Sequence, residues 1–131
     1  MKTFKTIFML SLFTLISACS SKSNFPVSST TPAADISAKK SVDNQNNYVL
    51  EITAENLADS ERLDPSGSNY SVWIKTKEHG IRNVGQLNVS NAKKTSFKTL
   101  TPFDFDEVFI TVENQGDLTY PRGVEISRTK I

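Results

Sequence analysis

The chain has little of what most chemical sites in proteins require. Its 131 residues include one cysteine, one histidine and one tryptophan, and 15 basic residues nearly balance 14 acidic ones. A single thiol forms no intramolecular disulfide, and one histidine with one cysteine cannot complete a zinc site. A near-neutral chain also lacks the basic footprint of a nucleic-acid-binding domain. We therefore expect no metal, no cofactor and no nucleic-acid partner, and a fold that depends on an ordinary apolar core.

Candidate catalytic groups are equally scarce. His79 is the only histidine and lies in a predicted hairpin turn, without the Gly-x-Ser-x-Gly context of an activated serine. The acidic cluster of Asp104, Asp106 and Glu107 lacks the twelve-residue, oxygen-rich loop of a calcium site, so it is interpreted as a solvated turn before a strand. We predict a protein that is not an enzyme, and a small hydrolase is the weaker alternative.

Helical periodicity is also missing, because no window places apolar residues at helical spacing over a convincing length. Short runs with strand character, separated by turn signals, begin at residue 48. They predict six strands: Tyr48–Glu55, Tyr70–Thr76, Val84–Val89, Ser96–Leu100, Glu107–Glu113 and Gly123–Ser127. The expected core residues are Tyr48, Leu50, Ile52, Val72, Ile74, Leu87, Phe97, Val108, Ile110 and Val112. This pattern favours an all-β domain over residues 48–131, either a partly open barrel or, as we prefer, a small antiparallel immunoglobulin-like sandwich.

The first 19 residues have the pattern of a lipoprotein signal peptide. A short basic segment precedes the apolar run Thr6–Ile16, which is too short for a stable membrane-spanning anchor. The segment Leu15–Cys19 resembles the lipobox of bacterial lipoproteins. That resemblance implies cleavage between Ala18 and Cys19, with acyl chains such as palmitate on Cys19. The alternative is a helical membrane anchor with an incidental thiol.

Residues 19–47 are predicted to be the lipidated cysteine and a flexible linker. They are rich in Ser, Thr, Asn, Pro and Ala, and no sustained apolar period runs through them. A coil of this length reaches about 30 Å, which is enough to hold a domain clear of the headgroups. Cleavage of residues 1–18 removes two of the 15 basic residues and no acidic one, so the net charge becomes −1 and membrane attachment must come from the acyl chains. Ser20, rather than Asp, follows the cysteine, which resembles the pattern sent to the outer membrane in Gram-negative bacteria; a Gram-positive source would imply the outer face of the plasma membrane.

Part of the predicted domain resembles the extracytoplasmic C-terminal domain of anti-sigma-K-type factors. Tyr70–Ile74 is similar to that family's Tyr-x-Val-Trp strand, Asn83–Leu87 to its Leu-Gly-x-Leu segment, and Phe105–Glu113 to its Phe-Asp strand ending in Glu. Pro121–Ile126 fits the last strand at the family's spacing. The resemblance implies a periplasmic β-sandwich that senses or binds something. The family's cytoplasmic sigma-binding domain and transmembrane helix are replaced here by a lipobox, so sigma-factor binding is not implied.

Aromatic residues in these segments are the candidate binding surface. Trp73 comes first because its position in the strand places it on the face opposite Val72 and Ile74, and Tyr70 and Tyr120 follow. The alternative is that most of these rings complete the core.

These observations predict a membrane-anchored envelope lipoprotein, in the outer membrane and facing the periplasm, with a non-enzymatic binding or regulatory module. Its expected contacts are the membrane, through the lipid on Cys19, and an envelope protein. The alternative is a pilotin-like assembly factor, or a periplasmic inhibitor of an envelope enzyme, acting by donation of a strand edge.

Overall fold

The computed structural model describes residues 19–89 and 93–131. It contains eight strands: β1 Ser21–Asn24, β2 Asp35–Val42, β3 Tyr48–Glu55, β4 Asn69–Thr76, β5 Ile81–Leu87, β6 Lys94–Thr101, β7 Phe105–Glu113 and β8 Val124–Lys130. A single 3-10 turn, Ser60–Arg62, lies between β3 and β4. Within these ranges no helix has the length and apolar character needed to cross a membrane. The predicted signal peptide, with Ala18 at its cleavage site, lies outside the described residues.

The strands form two antiparallel sheets of four, ordered β1-β2-β3-β6 and β5-β4-β7-β8. The inward faces of the two sheets pack against each other and enclose one apolar core. The prediction of a small, all-β antiparallel sandwich is therefore confirmed. The six predicted strands correspond to β3 through β8, with boundaries that differ by up to three residues.

The core follows the alternation of each strand. Leu50 and Ile52 project inward from the first sheet and meet Val72, Ile74 and Ile110 from the second. All ten predicted core residues belong to this cluster or pack against it, with Tyr48 and Phe97 only partly buried. The prediction missed eight buried members: Phe25, Ile36, Ala38, Ala54, Leu57, Tyr70, Phe105 and Ile126.

The prediction of a flexible linker up to residue 47 is wrong, because most of that segment belongs to the first sheet. β2 pairs with β3 along its whole length, from Asp35 opposite Glu55 to Val42 opposite Tyr48. The reason is that β2 has few apolar residues on its inward face, where only Ile36 and Ala38 are buried. Its extended conformation therefore depends on pairing with β3 and not on its own composition. The folded domain begins at Ser21, and only Ser20 separates it from Cys19.

The two ends of the sandwich carry different turns and connecting segments. The end at which β1 begins, called here the Cys19 end, also carries the turns at 43–47, 77–80 and 102–104. The opposite end, called the far end, carries the segments 25–34, 56–68 and 114–123. Hydrogen bonds join the two sheets at the edge where β1 and β8 meet. The Ser23 and Thr129 hydroxyls lie 2.6 Å apart, and the Ser127 hydroxyl donates to the Pro26 carbonyl at 2.9 Å.

We predict that a chain beginning at Tyr48 does not fold, whereas a chain beginning at Ser20 unfolds cooperatively. Removal of β1 and β2 leaves β3 paired with β6 alone, makes β3 an edge strand and exposes part of the core. Urea titration followed by near-ultraviolet circular dichroism distinguishes the two chains. Equal unfolding midpoints for both chains would contradict the observed domain boundary.

Candidate functional site

Two of the three residues predicted as a binding surface are buried. Tyr70 faces the core, and its hydroxyl donates to the carbonyl of Ala58 at 2.6 Å. Burial, with the nearby charge of Asp59, raises the pKa of Tyr70 to about 12. Trp73 is 0% exposed. Neither ring is available to a partner, so the prediction of a binding role is wrong for Tyr70 and Trp73. It stays a prediction for Tyr120.

Trp73 is buried on the outer face of the second sheet, where a second apolar cluster lies. Its ring stacks on Phe109, the residue opposite it on β7, with 6.1 Å between centroids and 12° between planes. The guanidinium of Arg128 lies 4.1 Å from the Phe109 ring centre. The assignment of Trp73 to the face opposite Val72 was right, but that face is covered rather than open.

The loop after β7, residues 114–123, lies over this outer face. Asn83 is opposite Trp73 on β5, and its side-chain amide donates to the carbonyls of Gly116 at 3.2 Å and Leu118 at 3.1 Å. At the start of the loop, the Ser68 hydroxyl donates to the Asn114 carbonyl at 2.8 Å. Side chains of the sheet therefore hold the backbone of the loop in place.

A buried chain of hydrogen bonds holds the end of the same loop. Trp73 Nε1 donates to Thr111 Oγ1 at 2.8 Å, and the Thr111 hydroxyl donates to Glu113 Oε1 at 2.6 Å. The Glu113 carboxylate also accepts from the backbone N–H of Gly123 at 2.9 Å and of Arg122 at 3.1 Å. The Thr111 hydroxyl and the backbone N–H groups of Arg122 and Gly123 all donate to the buried Glu113 carboxylate, and charge-assisted bonds of this kind are the stronger ones.

Glycine is required at position 123 for this arrangement. A Cβ there would overlap the carbonyl oxygen of Val112, so only a residue without one lets the backbone N–H reach Glu113. The sequence signal for this loop was the pair Pro121 and Gly123, which open the Pro121–Ile126 segment of the family resemblance and were assigned no contact.

The exposed surface of the loop is the candidate site. Tyr120 is 61% exposed, and Arg122 and Val124 are exposed beside it in the chain. Within residues 19–89 and 93–131, neither the Tyr120 hydroxyl nor the Arg122 guanidinium has a hydrogen-bonded or ion-paired partner. A cleft of about 500 Å³ separates this loop from the turn at 65–66, lined by Val112, Leu118 and Arg122 among others. Sequence reasoning did not identify Arg122 or Val124 as members of this surface.

The catalytic candidates lie elsewhere, at the Cys19 end. His79 is exposed, with its ring 4.8 Å from that of Phe103. Asp104 forms ion pairs with Lys40 at 2.7 Å and Lys77 at 2.8 Å. Hydrogen bonds from these two lysines lower the pKa of Asp104 to about 2. The arrangement brings no nucleophile to the imidazole, and in the described part of the chain no three His, Cys, Asp or Glu side chains are grouped as metal ligands.

Comparison of the chain with protein families, curated proteins and solved structures finds no match. The resemblance to the anti-sigma-K-type domain stays a prediction from sequence motifs.

We predict that Glu113→Gln lowers the free energy of unfolding by about 1–3 kcal/mol. Glutamine keeps one acceptor oxygen and places an NH₂ group against a backbone donor, so at least one buried N–H loses its partner. Fluorescence of the single tryptophan, which is part of the network, reports urea unfolding. Asp117→Asn, an exposed change in the same loop, is the matched control. Identical midpoints for the two variants would contradict a structural role for the carboxylate.

The Asp104 ion pairs predict a pH-dependent contribution to stability. Since the pKa of Asp104 falls from 3.8 to about 2 on folding, the contribution is present above pH 4 and is lost as the pH falls through about 2. Asp104→Asn should therefore be less stable than the wild type at pH 7, and the two curves should converge near pH 2. The effect is small because the side chain is one-third exposed and salt screens the pairs. A difference that is constant from pH 7 to pH 2 would contradict it.

Proposed function

We propose that this protein is a membrane-anchored bacterial envelope lipoprotein whose β-sandwich is a non-enzymatic binding or regulatory module. The lipobox supports the anchor, and Cys19 is exposed and precedes the folded domain by one residue. Ser20 after the cysteine supports the outer membrane as its location, with the domain in the periplasm of a Gram-negative cell. In a Gram-positive cell the domain would lie on the outer face of the plasma membrane.

The observation that carries the binding role is an exposed aromatic side chain on a preordered loop. Binding costs the loop little conformational entropy, because Asn83, Ser68 and Glu113 already fix its backbone. Tyrosine and arginine are the residue types that most often dominate binding energy at protein interfaces, and Tyr120 and Arg122 are both exposed here. An adjacent cleft offers space for a partner side chain.

The surface is better suited to a protein than to a small substrate. Its polar groups include the Arg122 guanidinium, the Tyr120 phenol and the side chains of Asn114 and Gln115, and no histidine is among the described residues that line the cleft. Val124 and Leu118 add apolar area at the same place. An apolar centre with a tyrosine and an arginine matches the composition of protein interfaces, so the proposed partner is another envelope protein.

The anchor is tested with Cys19→Ala. The wild-type chain should incorporate labelled palmitate and fractionate with membranes, and the variant should do neither, because the acyl acceptor is gone. Ser20→Ala is the matched control and should behave as the wild type in both assays. Membrane association of the Cys19→Ala chain at the wild-type level would contradict the proposal.

The binding role is tested by a photoreactive residue at position 120 in living cells. We expect covalent capture of one envelope protein from position 120 and none from position 55, since Glu55 is an exposed residue at the far end of the other sheet. Arg122→Ala, an exposed change that leaves the backbone N–H to Glu113 intact, should weaken the capture. Equal capture from positions 120 and 55 would contradict a binding surface at this loop.

A further inference from the structure

The connection between Cys19 and the sandwich is very short. Only Ser20 lies between Cys19 and the first residue of β1, and two peptide units span at most about 7 Å. An acylated Cys19 lies at the membrane surface, so the start of β1 is confined to within that distance of it. The flexible reach of about 30 Å that the linker prediction implied is absent. The domain must therefore touch the lipid surface, and the question is which part of it does.

Strand register identifies the neighbours of the attachment point. Ser21 is opposite Lys40, so continuing the antiparallel register by two residues brings Cys19 opposite Val42. Val42 is in turn opposite Tyr48, which is opposite Thr101. Val42 is therefore the apolar side chain beside the lipid attachment.

Three of the six exposed large apolar side chains among the described residues lie at this Cys19 end, and the other three, Val27, Tyr120 and Val124, lie at the far end. Both ends therefore carry exposed apolar groups, and the short connection to Cys19 selects this one. Val42 is 48% exposed and Leu100 is 57% exposed, and Ile81 is exposed at the start of β5. Leu100 is one residue from the end of β6, next to the residue that pairs with Tyr48. Side chains of this kind partition favourably into the boundary between headgroups and acyl chains.

The turns of this end carry aromatic and basic groups. Arg82 lies with its guanidinium 5.3 Å from the centre of the Phe103 ring, which also contacts the His79 ring. Asp104 is neutralised by Lys40 and Lys77, so it offers little repulsion to anionic headgroups. Amphipathic basic side chains and partly exposed rings are the groups that settle at a membrane interface. Glu78 is the exposed carboxylate of the 77–80 turn and is adjacent to Lys77 and His79.

We infer that the Cys19 end is a lipid-docking surface, with Val42 and Leu100 at the bilayer interface and the sandwich standing on the membrane. The inference rests on the proposed lipidation of Cys19. An eight-residue strand such as β3 is about 27 Å long, so the far end lies about that distance from the lipid. The loop carrying Tyr120 begins and ends at the far end, where an envelope partner has access to it.

The rival orientation lays the domain on the outer face of the first sheet. That face presents four lysines, Lys22, Lys39, Lys94 and Lys98, and Lys98 is 3.7 Å from the Glu51 carboxylate. Its middle carries serine and threonine between these charges, so attraction to anionic lipid would have to be its driving force. Apolar contact favours the Cys19 end, and the experiment separates the two.

The test measures the depth of single fluorophores in the lipidated protein. Cys19 is consumed by the lipid thioether, so an introduced cysteine is the only free thiol. Leu100→Cys reports the Cys19 end, Ser37→Cys the face of the first sheet, and Ser66→Cys the far end. Each labelled protein is reconstituted in phosphatidylethanolamine–phosphatidylglycerol vesicles that contain a headgroup-spin-labelled lipid.

We expect quenching at position 100 to exceed that at positions 37 and 66 several-fold, and Val42→Asn to reduce it. Leu100 and Ser37 both lie on the outer face of the first sheet, so quenching at position 37 that equals or exceeds that at 100, with less at 66, would overturn the orientation in favour of the sheet face. Equal quenching at all three positions would overturn docking. The mass of the N-terminal peptide separates this failure from that of the proposed function. Absence of acyl mass on Cys19 would overturn both, whereas acylation without preferential quenching at position 100 would overturn the docking inference alone.

Discussion

A buried carboxylate keeps the β7–β8 loop in its place. Glu113 is the last residue of β7 and lies on the same face as Trp73. Its carboxylate oxygens accept hydrogen bonds from the Thr111 hydroxyl and from the backbone N–H groups of Arg122 and Gly123. A buried charge without these donors would be costly, so the carboxylate and the loop stabilise each other. The loop in turn covers Trp73, which lets the second sheet be apolar on both faces. The exposed side chains of the proposed binding surface depend on the same contact.

Local patterns predicted the second half of the fold well. β4 and β7 have alternating or continuous apolar residues, which is the pattern of strands buried on one or both faces. The boundaries of both strands were therefore predicted to within two residues. β1 and β2 have no such pattern: Ser, Lys and Asp dominate them, and Ile36 and Ala38 alone face the core from β2. The composition of this segment is that of a linker. The strand forms because β2 pairs with β3, and a long-range pairing of this kind cannot be read from the local sequence.

The candidate site was predicted less well, for a related reason. The alternation of β4 correctly placed Trp73 on the face opposite Val72, yet it says nothing of what lies over that face. The cover is a loop some 40 residues further along the chain, held by Asn83 and Glu113. Tyr120 is exposed because this loop turns its backbone, not that side chain, toward the sheet. Surface and core aromatics cannot be separated until such long-range contacts are known.

The proposed role requires a binding loop that is ordered before any partner arrives. Amide hydrogen exchange at Arg122 and Gly123, with backbone relaxation across residues 114–123, measures this directly in the isolated domain. We expect both amides to exchange slowly, because both donate to Glu113, and the loop backbone to be as rigid as the strands beside it. Exchange at the rates of an unstructured peptide, with large nanosecond motion through the loop, would contradict it.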